Sequence, residues 1–289
     1  MKLGLVGLGR MGAGMAERLR RAGHEVIGFD SDPARTEVGS LRDLAGRLDA
    51  PRVVWLMLPA GEATQGAVDE IAGLLSPGDV VVDGGNSYYR DSVRRAEGLA
   101  ARGVRYLDVG TSGGVGGREA GFCLMVGGPS DAFALVEPLL QALAPAGGYA
   151  YLGPSGAGHF AKMAHNAIEY GLLQAYAEGF SLLEASEYAY DLSRVAGLWQ
   201  QGGVVRSWLL ELAGRALAAD PRLETLRGHV EDSGEGRWAV QEAVERGVPL
   251  PAITLSLYRR FASRDEDAFA NRFIAALRRE FGGHAVRET

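Results

Sequence analysis

Lys162, His165, Asn166, Glu169 and Tyr170 fall at positions i, i+3, i+4, i+7 and i+8 of one segment. At about 100° per residue, a helix would gather them on a single stripe about 140° wide. That stripe offers a possible base, a possible acid, two hydrogen-bonding groups and a phenol. Lys162 is one of only two lysines among thirty basic residues; the other is Lys2. A guanidinium stays protonated at any pH a cell reaches, whereas an ammonium can release its proton once burial or a neighbour lowers its pKa. A lone lysine in an arginine-rich chain therefore suits a role in proton transfer. The simpler alternative is the wet side of an amphipathic helix. Against it, the segment continues through Leu172, Leu173, Ala175, Phe180, Leu182 and Leu183 without a sustained polar face, as in a helix buried on most sides. Buried, such a stripe must line a polar cavity, because unpaired buried charge is costly. His165 and Glu169 have spacing that could ligate a metal. No second His or Cys cluster supports one, and Lys162 would repel the cation, so no metal is expected.

The elements that must position this stripe read in two halves. Short apolar runs at residues 2–6, 25–29, 53–58, 79–82, 105–109, 121–126 and 150–152 are rich in Val, Ile and Leu, as strands covered on both faces require. Amphipathic stretches at 10–22, 62–75, 89–102 and 130–143 read as intervening helices. Repeated strand–helix–strand units predict an α/β fold, a Rossmann-type doubly wound parallel sheet with right-handed crossovers. After Gly153-Pro154-Ser155-Gly156 the strand signal ends. Helices are predicted from 157 to near 186, then at 193–200, 205–219, 236–246, 252–262 and 267–280. The expected organisation is a dinucleotide-binding domain at 1–154 and an all-helical substrate and oligomerisation domain at 155–289.

Composition narrows the function classes. The chain has 289 residues, 47% hydrophobic and 23% charged, with a net charge of −6. That balance is ordinary for a globular protein and argues against a nucleic-acid or anionic-membrane surface. The single cysteine, Cys123, excludes an intrachain disulfide and fits a reducing compartment. It lies in the apolar run Phe122-Cys123-Leu124-Met125-Val126, which predicts a buried structural thiol. No stretch reads as a signal peptide or membrane span, and the expected location is cytoplasmic.

Gly7-Leu8-Gly9-Arg10-Met11-Gly12 follows the first strand and opens the first helix. In that context the glycines permit a tight turn, close approach of backbone to a pyrophosphate, and close packing of helix on sheet. Asp30 closes the second strand, where a carboxylate can hold both ribose hydroxyls. It would repel a 2′-phosphate, and Ser31 and Asp32 supply no compensating cation. NAD is therefore expected over NADP, although Arg35 is near enough in sequence to reach such a phosphate. Asp83-Gly84-Gly85-Asn86-Ser87 and Gly110-Thr111-Ser112-Gly113-Gly114 follow two later strands. Both fall at carboxyl ends, where open α/β sheets bind ligands, and their small residues let backbone N–H groups approach an anion.

These motifs resemble the 6-phosphogluconate dehydrogenase family, in its shorter class, within the β-hydroxyacid dehydrogenases. The resemblance covers nearly the whole chain. It rests on the Gly7 to Gly12 turn, on Asp83 to Ser87 with Asp91, on Ser112-Gly113-Gly114, on the run from Gly156 to Gly171, and on Phe281-Gly282-Gly283-His284. The most specific part is Lys162-Met163-Ala164-His165-Asn166-Ala167-Ile168-Glu169-Tyr170; related β-hydroxyacid dehydrogenases keep the lysine and an asparagine four residues on, but lack the rest. The resemblance implies oxidative decarboxylation of 6-phosphogluconate to ribulose 5-phosphate with reduction of a nicotinamide dinucleotide. It implies that Lys162 exchanges the 3-hydroxyl proton and that Glu169 protonates C1 of the enediol. Ser112, Gly113, Gly114, His165 and Asn166 would hold the carboxylate end, and Asn86 would bridge substrate and nicotinamide. Tyr170, Arg237 and Arg260 would bind the phosphorylated end, with Arg278 and His284 supplied by a neighbouring subunit of a homodimer or homotetramer. Gly234-Glu235-Gly236-Arg237-Trp238-Ala239 departs from the family's usual Gly-Thr-Gly-Lys-Trp-Thr, and Ala167 replaces a glycine. Arginine can replace lysine toward phosphate, but Glu235 adds negative charge and Ala239 removes a hydroxyl. Two alternatives follow: a β-hydroxyacid dehydrogenase for another sugar acid, or a dinucleotide-responsive regulator without turnover.

Overall fold

Nearly continuous aliphatic runs form a seven-stranded sheet: β1 (Lys2–Val6), β2 (Glu25–Phe29), β3 (Val53–Leu56), β4 (Val80–Asp83), β5 (Arg105–Ser112), β6 (Cys123–Gly127) and β7 (Tyr149–Gly153), in the order β2-β1-β3-β4-β5-β6-β7. The computed structural model describes residues 1–265 and 268–282. Two compact units divide the chain, Met1–His165 and one beginning at Asn166.

Strands β1 to β5 are parallel. The expected doubly wound sheet is thus mostly parallel, with one exception at its far edge, where β6 pairs antiparallel with β5 and β7 runs parallel to β6. The cause is the short link from β5 to β6, which holds only a 3-10 turn (Gly114–Gly116) and one helical turn, α5 (Gly117–Ala120). A return to the same end of the sheet needs about a dozen residues or more.

Helices cover both faces. On one, Leu3, Leu5, Val53, Trp55, Val80 and Val82 pack with Met15 and Leu19 of α1 (Arg10–Arg21) and Val136, Leu139 and Leu140 of α6 (Ser130–Leu143). On the other, Val54, Leu56 and Val81 pack with Leu41 and Leu44 of α2 (Leu41–Gly46), Val68 and Ile71 of α3 (Glu62–Ala72) and Leu99 of α4 (Tyr89–Ala100). Helix α2 was not among the expected elements. Its signal was Ser40, whose hydroxyl accepts from the Asp43 N–H at 3.1 Å as an N-cap. Cys123 is exposed, contrary to expectation. Along β6, Leu124 and Val126 are buried, and the two-residue period turns Cys123 to the opposite side.

Past β7 the chain is helical. Helix α7 (Ala157–Glu184) is followed by α8 (Leu192–Trp199), α9 (Trp208–Ala219), α10 (Glu235–Arg246), α11 (Pro251–Ala262) and α12 (Phe269–Gly282). Asp191 and Ser207 cap α8 and α9 by accepting from Arg194 N and Leu210 N, each at 3.0 Å. The expected burial of the second half of α7 does not hold in the single chain: Leu172, Leu173 and Leu182 are 45%, 38% and 75% exposed. An apolar run on a helix states that burial is wanted, not which surface supplies it. No described helix is long and apolar enough to cross a membrane.

Candidate active site

The glycine turn between β1 and α1 has the shape of an anion cradle. Gly7 has φ +92°, and a Cβ there would collide with the Met57 carbonyl; a Cβ on Gly12 would collide with the Gly7 carbonyl. Both positions need glycine, one for its backbone conformation and both for close approach. A Cβ on Gly9 would meet nothing within 4 Å. Helix α1 begins beside that open space without a side-chain cap, so its first N–H groups can bind an anion. Leu8 and Met11 are half-buried and Arg10 is exposed. Asp30 ties the turn to the end of β2: its carboxylate accepts from Asp32 N at 2.9 Å and Leu8 N at 2.6 Å. The Asp32 N–H, ahead of that of Leu8 and the charge of Arg35, holds the Asp30 carboxyl below its ordinary range. Each oxygen retains a lone pair for a ribose hydroxyl. Arg35 is paired with Asp32, Nε to Oδ2 3.1 Å. These residues fit a dinucleotide whose ribose carries free hydroxyls.

The turn after β4 hangs on buried charge. Asp83 is fully buried and accepts from Gly85 N at 3.1 Å, Ser87 Oγ at 2.8 Å, Tyr106 Oη at 2.8 Å and Arg95 Nη1 at 3.1 Å. Burial first, then the neighbouring Asp83 charge, pushes the Tyr106 phenol well above its ordinary value. Arg95 also donates to Gln65 Oε1 at 3.1 Å and the Gly61 carbonyl at 3.3 Å. Asn86, half-buried, sits at the top of this turn.

Strand β5 receives the start of α7. Asp108, fully buried, accepts from Gly156 N at 2.7 Å and His159 N at 2.9 Å, a carboxylate cap at a helix N-terminus. A Cβ on Gly110 would collide with Lys162 Cβ, so the glycine lets the lysine-bearing turn rest on the strand. Lys162 is 7% exposed. Its neighbour one turn on, His165, lies with Nε2 3.3 Å from Ser112 Oγ. Ser112, Gly113 and Gly114 close the strand, so the first unit brings Lys162, His165 and the serine–glycine turn together. His159, 1% exposed, links three elements: Nδ1 lies 2.7 Å from Ser92 Oγ and Nε2 lies 3.1 Å from the Gly85 carbonyl.

In the second unit, α7 continues with Asn166 and Tyr170 buried and Glu169 half-buried. Tyr170 Oη accepts from Ser233 N at 3.3 Å, and the Arg260 guanidinium stacks 3.4 Å above its ring. Arg260 also donates to the Glu231 carbonyl at 2.9 Å. Arg237 grips Asp232 with both Nε and Nη2, at 2.8 and 3.1 Å, and Arg264 reaches the same carboxylate at 2.6 Å. The Arg237 hydrogen bond, then that of Arg264, pulls the Asp232 carboxyl down to about 2. Arg237 thus has an acidic partner on its own chain. Glu235 is 2% exposed, and its Oε2 has no hydrogen-bond partner among the described residues. Arg278 is exposed on α12, and His284 lies outside the described residues. Among the described residues no group of three or more His, Cys, Asp or Glu could hold a metal.

Asp108, Arg95, Ser92 and His159 escaped the sequence reading. Asp108 had a signal: one carboxylate in the run Tyr106-Leu107-Asp108-Val109, where burial demands a partner. The partners come from sequence-distant elements and carry no local pattern.

The sheet order reverses beside β1, and the glycine cradle lies at that switch point, which defines a dinucleotide-binding α/β protein with a helical second unit. Residues 2–153 match the NAD binding domain of 6-phosphogluconate dehydrogenase, and residues 158–286 match the C-terminal domain of the same enzyme. The chain belongs to the 6-phosphogluconate dehydrogenase family. It is 46% identical to the NAD(+)-dependent, decarboxylating 6-phosphogluconate dehydrogenase of Haloferax volcanii, over 99% of this chain and 98% of that protein. It is 33% identical to the NADP(+)-dependent enzyme of Bacillus subtilis over 91% of this chain, but spans only 61% of that longer protein. The structure of the Plasmodium falciparum 6-phosphogluconate dehydrogenase superposes with a TM-score of 0.84 at 28% identity, covering 100% of this chain and 66% of that one.

Proposed function

We propose that this chain oxidises and decarboxylates 6-phosphogluconate to ribulose 5-phosphate and carbon dioxide, with NAD as acceptor, as a cytoplasmic enzyme. The observation that carries the reading is the buried Lys162, seated on β5 at Gly110, with His165 against Ser112. Residues 1–154 hold the dinucleotide, through Gly7, Leu8, Gly9, Arg10, Met11, Gly12, Asp30 and Asn86; residues 155–289 serve substrate and assembly. NAD, when bound, supplies the hydride acceptor for C3. Lys162 takes the 3-hydroxyl proton as the C3 hydride leaves, giving a β-keto acid. The C1 carboxyl then departs as carbon dioxide, its electron pair passing into the C3 carbonyl, which Lys162 reprotonates. Glu169 protonates C1 of the resulting enediol. Ser112, Gly113, Gly114, His165 and Asn166 hold the substrate carboxylate, and Tyr170, Arg237 and Arg260 serve its phosphate.

One observation favours a second reading, a dehydrogenase for an unphosphorylated sugar acid: Arg237 is already neutralised by Asp232, and Glu235 is buried beside it in sequence. A panel of 6-phosphogluconate and unphosphorylated aldonic acids, followed at the reduced-nicotinamide band, separates the two. Turnover of 6-phosphogluconate with release of carbon dioxide is expected. Activity confined to unphosphorylated acids would replace this reading, and cofactor binding without turnover would leave a regulator.

In the same assay kcat/KM should be higher with NAD than with NADP, because Asp30 would meet a 2′-phosphate with like charge. Replacing Asp30 by Asn and Ser31 by Arg should move the preference toward NADP. A wild-type preference for NADP would shift attention to Arg35.

The assembly proposed is a homodimer or homotetramer in which C-terminal tails exchange, Arg278 and His284 serving a neighbour. Supporting it, α12 exposes Phe269, Phe273, Ile274 and Leu277 along one helix, at 71%, 52%, 56% and 46%. Mixing an Arg278→Ala subunit with a Lys162→Ala subunit should restore some activity, since a hybrid assembles one intact site. Verified hybrids without rescue would assign the tail to its own chain.

A further inference from the structure

Gly85 is held at both ends by buried side chains. Its N–H donates to Asp83 Oδ1 at 3.1 Å, and its carbonyl lies 3.1 Å from His159 Nε2. A carbonyl can only accept, so in the neutral ring Nε2 carries the proton and Nδ1 accepts from the Ser92 hydroxyl at 2.7 Å. The acceptor-only Gly85 carbonyl thus sets the tautomer, and the Ser92 hydroxyl, which can donate or accept, complements it by donating to Nδ1. The backbone that carries the ring is held as well, since the His159 N–H donates to Asp108 Oδ2 at 2.9 Å. Nor can the turn settle inward, since Gly85 already lies against the Leu58 carbonyl, 2.7 Å from where a Cβ would stand. The residue fixed next in line is Asn86. His159 lies one helical turn before Lys162, so one helix start both carries the lysine and grips the turn that presents Asn86.

We propose that His159 is a positioning residue: through the Gly85 carbonyl it sets the placement of Asn86 relative to the dinucleotide cradle and the lysine-bearing turn. It touches neither substrate nor cofactor in this role. The proposal rests on the assignment of Asn86 to substrate and nicotinamide made above, and it accounts for a buried histidine that the reaction itself does not use.

Two measurements on the full chain test it. In hydrogen–deuterium exchange, the peptide spanning residues 83–88 should exchange about tenfold faster or more in His159→Phe, because a buried carbonyl loses the ring N–H that donates to it. His159→Gln, whose amide N–H can stand near Nε2, should restore most of the protection. In kinetics, His159→Phe should lower kcat by about 10- to 100-fold, the scale for a group displaced by a fraction of its reach, with NAD affinity largely kept. The same substitution in an Asn86→Ala background should cost little further, since the residue it positions is gone. Unchanged exchange at 83–88, or an equal kcat loss in both backgrounds, would overturn the proposal. If His159→Phe does not fold, Ser92→Ala carries the same two comparisons, because the ring then loses the hydrogen bond that holds Nδ1. Wild-type inactivity toward 6-phosphogluconate would remove the assignment of Asn86, while the exchange result would still decide whether His159 clamps the turn.

Discussion

Lys162→Arg should fold normally, bind NAD with near wild-type affinity, and lose turnover by about 10²-fold or more, the scale of general acid–base catalysis. Arginine keeps the positive charge and much of the reach of lysine, but its guanidinium does not release a proton near neutral pH. The comparison therefore separates proton transfer from charge alone. The structure sharpens the test. Lys162 is 7% exposed, and its Cβ packs where Gly110 has no side chain, so the backbone position of the substituted residue is held by the strand below it. Circular dichroism and cofactor titration check the fold and the first unit, and steady-state kinetics with 6-phosphogluconate reads kcat. Near-normal kcat would end the proton-transfer role and leave Lys162 as an electrostatic anchor for the carboxylate.

Arg95→Leu should produce the largest loss of stability of any single change discussed, about 3–5 kcal/mol, the scale for stranding one member of a buried ion pair. Arg95 and Asp83 are 1% and 0% exposed at their side chains, with Nη1 to Oδ2 at 3.1 Å. Removing the guanidinium leaves the Asp83 carboxylate buried with hydroxyl and amide donors only, and deprives Gln65 Oε1 and the Gly61 carbonyl of theirs. Urea denaturation should show a lower midpoint with an unchanged slope. Adding Asp83→Asn to Arg95→Leu should cost less than the sum of the two single changes, because the double variant buries no unpaired charge. Strict additivity would mean the pair is not coupled, and a loss below about 1 kcal/mol would mean that this buried pair contributes no more than an exposed one.

The sequence alone determined what depends on local spacing. Aliphatic runs and 3.6-residue periods marked the strands and helices, because each pattern reflects which faces of one element avoid water. The glycine turn with Asp30, the two small-residue turns, and the stripe from Lys162 to Tyr170 were legible for the same reason: each is a short stretch whose chemistry and backbone needs are written in neighbouring residues. The family resemblance was legible in those stretches too. Tertiary structure decided whatever required partners from distant elements. It reversed β6 and β7, since strand direction depends on how much chain the β5 to β6 link contains and where it can go. It turned Cys123 outward and left Leu172 and Leu182 exposed, because an apolar residue does not name the surface that will cover it. It joined Asp108 to the start of α7, Arg95 to Asp83, and His159 to Gly85 across separations of 51, 12 and 74 residues. It also gave Arg237 an acidic partner, Asp232, five residues away, whose carboxylate it grips with two hydrogen bonds. Burial makes these pairings necessary, since a charged or polar group removed from water must find a partner, but only the folded chain determines which partner is within reach.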